Sequence, residues 1–356
     1  MPDSTSTVST VPRARSIQTR QRAGKKICID CGSTQTRVSI DAALVWQQPS
    51  CMVMHEASQS LVTIGNAAYQ LLGKHNKGTE MVFPVEYGAI SSVEHAVAFL
   101  RSLREELSIG NSVLGMLDGI LHAHTLIALQ DAGSPLEKKQ FQHVWSEAGW
   151  QGVNFVSAPR AILVANKLAL SDQPQCVIDL GGHVSFLSIV QGESVIASER
   201  INWGGLNLTD AIQRVVREQR HCAISWHTAE KIKRELAHVS IADAPRTKRQ
   251  AKLSVTGKDL SSQLGKSVVV EGEEILGVIE RYPQLLITQI QHFFADISAE
   301  IISSCLEQGI VLSGGSAQLS GIAEYVQQSL KTEVVVSQHP ELDLLLGMQH
   351  SAGVKN

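Results

Sequence analysis

Asp30-Cys31-Gly32-Ser33-Thr34-Gln35-Thr36, Asp179-Leu180-Gly181-Gly182 and Leu312-Ser313-Gly314-Gly315 each follow an apolar run, at 27–29, 176–178 and 309–312, that reads as a strand. In each, the strand end passes into a tight turn where glycine lets backbone N–H groups approach an anion closely. One turn of this kind carries little weight, whereas three in this order describe a nucleotide cleft. Asp30 and Asp179 stand where a bare carboxylate would repel phosphate. A hydrated Mg²⁺ between them resolves the conflict, because Mg²⁺ keeps several waters and is often held indirectly.

Outward from the first turn, 37–45 continues the strand pattern and 62–73 opens a short segment. Residues 87–107 read as a turn and an amphipathic helix, with Val93, Val97, Leu100 and Leu103 at helical spacing. After a strand at 121–129, Ser134-Pro135-Leu136-Glu137 supplies a cap, a first-turn proline and an early acid for a helix to about 148. The second half repeats this plan: strands near 176–180, 186–190 and 193–202, then Gly204-Gly205 and a helix from about 209 to 219. Such duplication fits an α/β fold of two related domains with a cleft between them. Residues 228–236 read as a helix that puts Glu230 and Lys233 on one face. The stretch 245–266 reads as a small charged insertion, and 274–281 and 283–306 read as helices leading to the 310–313 strand. A helix at 320–330, a strand at 333–337 and a helix at 342–352 follow.

The chain resembles the actin, sugar-kinase and heat-shock chaperone ATPase superfamily, and within it the MreB-like bacterial actins. The three loops carry the resemblance, together with Ile64-Gly65-Asn66-Ala67-Ala68 to Leu72-Gly73, Tyr87-Gly88-Ala89-Ile90 and Thr228-Ala229-Glu230-Lys231-Ile232-Lys233, in the family's order from about Lys26 to Gly353. It implies an actin-like ATPase fold: a basic tail at 1–25, a first domain at 26–170, and a second at 171–356 with a small subdomain at about 208–275. It also implies ATP or ADP with Mg²⁺. The binding residues are Asp30, Gly32, Ser33 and Thr34 in the first loop and Asp179, Gly181 and Gly182 in the second. Gly204, Gly205, Glu230, Lys233, Gly314 and Gly315 complete the set, with Asp30 and Asp179 toward the metal. In the family, the positions of Glu230 and Lys233 contact ribose and adenine; without the neighbouring loops, a surface salt bridge is the plainer reading of the pair.

The chain also departs from the family. Ser157-Ala158-Pro159 stands where glutamates precede the proline, one of which positions the attacking water. Orientation and charge stabilisation dominate phosphoryl transfer, so this loss slows hydrolysis and leaves the catalytic residues unknown. His183 adds a ring where the second loop has a third glycine, either obstructing phosphate or serving as a replacement base or contact. Ser316 replaces a third glycine in the adenosine loop, and Asn207 stands where an aspartate is usual.

With 43% hydrophobic and 18% charged residues in 356, the chain has material for one large or two medium cores. A net charge of −3 and 4% aromatic content argue against nucleic acid. The six cysteines are scattered and read as buried thiols of a reducing cytoplasm; alternation puts Cys28 and Cys31 on opposite strand faces, against a redox or zinc pair. His122 and His124 lack ligands to complete a metal site. No run approaches the ~20 apolar residues of a membrane span. The tail carries Arg13, Arg15, Arg20 and Arg22 against the lone acid Asp3, without a signal-peptide core, so the expected location is the cytoplasm. Two readings of the tail stand: a solvated segment, or a basic contact with anionic lipid at the inner membrane face.

The first functional expectation is a filament-forming, ATP-Mg-binding cytoskeletal protein of cell shape or intracellular positioning, hydrolysing weakly. The alternative is a non-polymerising adaptor or pseudo-ATPase that regulates another assembly. A chaperone or sugar kinase stands third, because no peptide-binding domain follows the last loop and no sugar pocket is marked.

Overall fold

The computed structural model describes residues 25–74, 77–109, 124–168, 171–240 and 242–351. The basic tail up to residue 24 and His122 lie outside these residues; His124 is exposed at the start of a strand.

Two five-stranded sheets share one plan. In the first, Lys26–Cys31, Gln35–Ile40 and Ala43–Pro49 form an antiparallel meander, to which His124–Leu129 and Val153–Ser157 add in parallel. In the second, Gln175–Leu180, Ser185–Gln191 and Ser194–Ile201 form the meander, and Ile310–Ser313 and Val334–Val336 add in parallel. The internal duplication legible in the sequence is thus a duplication of sheet topology.

The leading strand of each sheet is buried on both faces, which is why each reads as a continuous apolar run. Ile27 and Ile29 pack with Phe99, Leu103 and Trp145 of the outer helices Val93–Ile109 and Pro135–Glu147. Cys28 points the other way, toward Leu126, Ala161, Leu345 and Met348. Likewise Ile178 and Leu180 join Leu286, Ile290 and Leu312, while Val177 meets Ile162 and Leu163. The helices Ala158–Ala165 and Asp343–His350 therefore lie between the sheets. Cys28 and Cys31 sit in different clusters, and all six cysteines are free. Burial pushes the Cys31 and Cys51 thiols up to about 12, so both stay protonated.

Several boundaries differ from the sequence reading. The strand expected across 37–45 turns at Asp41 and Ala42, both at positive φ (49° and 70°), as a tight hairpin requires. Asp41 tolerates that conformation, and its carboxylate accepts the Lys26 N–H at 3.0 Å. The helical stretch expected across 283–306 breaks into Arg281–Ala295 and Ala299–Gln308, with Ser298 extended at the second start. The charged insertion has more order than its composition suggests. Lys252–Asp259 pairs with Cys222–Ala223 on one side and with Gly265–Glu271 on the other, and Val255, Val268 and Val270 bury a separate core against Ile212, Ile232 and Ile275.

The cap at Ser134 forms as expected. Its Oγ accepts the Glu137 N–H at 3.2 Å, and Glu137 accepts the Ser134 N–H at 2.7 Å.

Candidate functional site

The turns that end the two leading strands face each other across a cleft of about 960 Å³. From the first half it is lined by Asp30, Gly32, Ser33 and Thr34, and from the second by Asp179, Gly181 and Gly182. Gly205, Glu230, Lys233, Gly314 and Gly315 line it as well. Gly204 does not: its backbone packs on the carbonyl of Gly182 with no room for a Cβ.

The helix expected from about 209 starts a turn earlier, as Gly205–Arg220, and so aims its N-terminus at the cleft. Gly205 N–H donates to Gly181 O at 3.1 Å and Leu206 N–H to Gly182 O at 2.9 Å, tying the helix start to the second turn. Asn207, where the sequence reading noted drift, caps the helix by accepting the Gly204 N–H at 2.9 Å. Ser316 is likewise structural, donating to Gly181 O at 2.7 Å.

The acids carry the electrostatics. Asp30 and Asp179 are 8% and 9% exposed. Burial first, then the Asp30 charge, pushes the Asp179 carboxyl up to about 7. Burial also raises the Asp30 carboxyl, against the opposing pull of Arg37. Two buried carboxyls facing one cleft are the oxygen-donor chemistry that would suit Mg²⁺. Among the described residues no cluster of three or more His, Cys, Asp or Glu completes a metal cage. Two polar partners were not anticipated from sequence. Arg37 Nη1 donates to Asp30 Oδ2 at 3.1 Å, and Gln130 Nε2 donates across the cleft to Asp179 Oδ2 at 2.7 Å.

At the other end of the cleft, Glu230 and Lys233 pair at 2.7 Å on the helix Trp226–Leu236. The pair is mostly buried, so it is no ordinary surface salt bridge. Lys233 also donates to Gly205 O and Thr209 Oγ1, both at 3.0 Å, and Glu230 accepts from Thr209 and Arg234. Burial is the largest influence on the Glu230 carboxyl and raises it, but its cationic and hydroxyl partners outweigh burial, so the carboxyl stays ionised.

No carboxylate belongs to Ser157 or Ala158, and the nearby acid is Asp131, whose Oδ2 accepts the Ser157 hydroxyl at 2.6 Å. Ala158 lines the cleft; Asp131 and Ser157 do not. Of the two roles left open for His183, obstruction of phosphate or a replacement base or contact, the geometry favours neither directly. His183 is not among the lining residues, and its ring lies 5.0 Å from that of Tyr87. Burial lowers its pKa, leaving it neutral near pH 7. Tyr69, from the short helix Gly65–Gln70, meets Trp226 and His227 with ring centroids 5.6 and 4.2 Å away, bridging the cleft mouth.

Arg37 had a signal that went unread: an arginine inside an otherwise buried strand needs a partner, and the antiparallel register sets it opposite Asp30. Gln130 had none, because its partner comes from the other half of the chain.

Comparison with known proteins fits this geometry. The profile of the MreB/Mbl protein family matches residues 24–354. The cell shape-determining protein Mbl of Bacillus subtilis is 21% identical over 318 residues, covering 89% of this chain and 92% of that one. The cell shape-determining protein MreB of Escherichia coli K12 is 22% identical over 320 residues, covering 88% and 89%. Among solved structures, MreB5 of Spiroplasma citri bound to ADP superposes with a TM-score of 0.80 at 21% identity, over 92% of this chain and 95% of that one. A MamK double helical filament superposes with a TM-score of 0.70 at 16% identity, over 91% and 98%. The fold is thus the actin-like one.

Proposed function

This chain belongs to the MreB/Mbl family, and from that premise we propose that it binds ATP with Mg²⁺ in the cleft and assembles into cytoplasmic cytoskeletal filaments that serve cell shape or intracellular positioning. The observation that carries the reading is the convergence of two equivalent strand-end turns, each with a buried acid, on one cleft. The Gly181-Gly182 turn offers backbone donors to phosphate, and the helix Gly205–Arg220, whose first N–H groups are spent on that turn, points the positive end of its dipole at the same place. Asp30 and Asp179 would hold Mg²⁺, and the ion would offset phosphate charge when bound. Glu230 and Lys233, fixed by Thr209 and Gly205, present a rigid polar face to ribose and base. Relatives support both halves of the reading: the same MreB5 is also known bound to AMPPNP, and the MamK structure is a filament. The division into 26–170 and 171–356, with a small subdomain at about 208–275, belongs to the same proposal and is supported by the duplicated sheets.

Hydrolysis is weak in this reading. The only hydroxyl at the usual glutamate position, Ser157, is committed to Asp131, and His183 is turned to Tyr87. The same observation favours the second reading, a non-polymerising adaptor that keeps the nucleotide as a structural ligand. Pelleting of the purified protein with ATP, ADP or no nucleotide separates the two, with phosphate release followed in the same tubes and Asp179→Ala as control. Pelleting that needs ATP and fails in the control, with little phosphate released, is the expected result. A protein that stays in the supernatant in every tube moves the assignment to the adaptor, and brisk phosphate release overturns the claim of weak hydrolysis.

A further inference from the structure

The cleft contains a positive charge that its two acids do not require if a metal always neutralises them. Arg37 lies on Gln35–Ile40, in register opposite Asp30 on the neighbouring strand. Its Nη1 donates to Asp30 Oδ2 at 3.1 Å, and both side chains are 12% exposed. A guanidinium has five N–H donors in a rigid fork suited to carboxylate and phosphate. Here the contact to Asp30 is through one nitrogen, Nη1. That leaves the rest of the guanidinium fork for a second acceptor. Arg37 lines the cleft beside Asp30, Gly32 and Thr34, where the phosphate-binding turns converge.

We propose that Arg37 is a phosphate-binding residue and that, by neutralising Asp30, it lets the cleft hold a nucleoside polyphosphate without a divalent cation. This rests on the nucleotide-binding reading above and adds to it a particular ligand group and a relaxed metal requirement. Without a cation, a polyphosphate entering the cleft meets Asp179 and Asp30. Arg37 removes the second repulsion and supplies free N–H groups to the incoming anion. Asp179, held by the neutral Gln130, remains the group that benefits from Mg²⁺. Metal therefore tightens binding without being required for it.

The test is calorimetric titration of the full chain with ATP, in Mg²⁺ and in excess EDTA, for wild type and Arg37→Gln. Wild type is expected to lose less than about tenfold in affinity when Mg²⁺ is removed. Arg37→Gln is expected to lose about a hundredfold or more in EDTA and to recover most of that loss in Mg²⁺. Two results overturn the inference while leaving nucleotide binding intact: wild type that binds only with Mg²⁺, or Arg37→Gln that matches wild type in EDTA. No binding by wild type in either buffer overturns the nucleotide reading itself. A thermal melt checks that Arg37→Gln is folded. If it is not, the wild-type EDTA titration decides alone, with Arg37→Lys, which keeps the charge and loses the fork, expected to fall between the two.

Discussion

Gly182 marks a close approach between the halves of the cleft. A Cβ there runs into the Thr34 side chain of the opposite turn. Its backbone needs no unusual φ, so the constraint is space alone. Gly182→Ala is expected to push the turns apart, costing about 1–3 kcal/mol of stability as overpacking does. It should also weaken ATP binding by about tenfold or more, since phosphate contacts depend on sub-ångström placement. Thermal denaturation and ATP titration check both, and an unchanged affinity contradicts the placement of phosphate between these turns. At this scale the sequence was a fair guide to glycines and acids, whose chemistry is local. It was a poor guide to partners: Arg37 was legible through strand register, whereas Gln130 and Asp131 take their meaning from residues 49 and 26 positions away.

Two helices illustrate how elements set the geometry. Asp343–His350 packs on Ala158–Ala165, and Gly347 lies so close to the Ala161 carbonyl that a methyl cannot fit. Gly347→Ala should destabilise the protein by about 1–3 kcal/mol. That cost appears as a lower denaturation midpoint with an unchanged denaturant slope; an unaffected midpoint refutes the close packing.

The cap of Pro135–Glu147 makes a pH prediction. The Ser134 backbone N–H first, then the Ser134 hydroxyl and Arg200, holds the Glu137 carboxyl below its ordinary value. A carboxylate with a depressed folded-state pKa contributes stability above its unfolded value, near 4.5, and loses it as pH falls through the folded one. Glu137→Gln should therefore be less stable than wild type at neutral pH by up to about 1 kcal/mol, a figure discounted because the group is partly exposed. The two should converge in acid well below pH 4.5. Denaturation across that range tests it, and a constant gap at all pH values contradicts the charge-based account.

On the scale of the molecule, the chain crosses between halves and ties them at several points. Lys26 of the first strand donates to the Gln349 and Ser351 carbonyls at 2.7 and 2.8 Å, anchoring the C-terminal helix to the first sheet. Arg200 reaches Glu137 at 2.9 Å, and Tyr69 closes the opposite rim on Trp226 and His227. An aromatic contact contributes about 0.5–1.5 kcal/mol. Tyr69→Ala should therefore speed nucleotide release by about 2- to 12-fold, as read by stopped-flow displacement of a fluorescent ATP analogue. An unchanged release rate shows that the rim contact does not gate the ligand.

Resemblance to the bacterial actins implied the actin-like fold; by itself the sequence determined a duplicated α/β plan, the two acid-bearing turns, the cap at Ser134 and the separation of Cys28 from Cys31. Each of these depends on local periodicity or on residue types with strong backbone preferences, which act within a few positions of the chain. Only the tertiary structure decided that Gln130 holds Asp179, that Gly205 rather than residue 209 starts the cleft-facing helix, and that the His183 ring packs beside Tyr87. Those outcomes join residues from opposite halves or depend on which carbonyl a helix start can reach. Their energies arise from burial and close approach that no stretch of sequence contains until the two sheets are brought together.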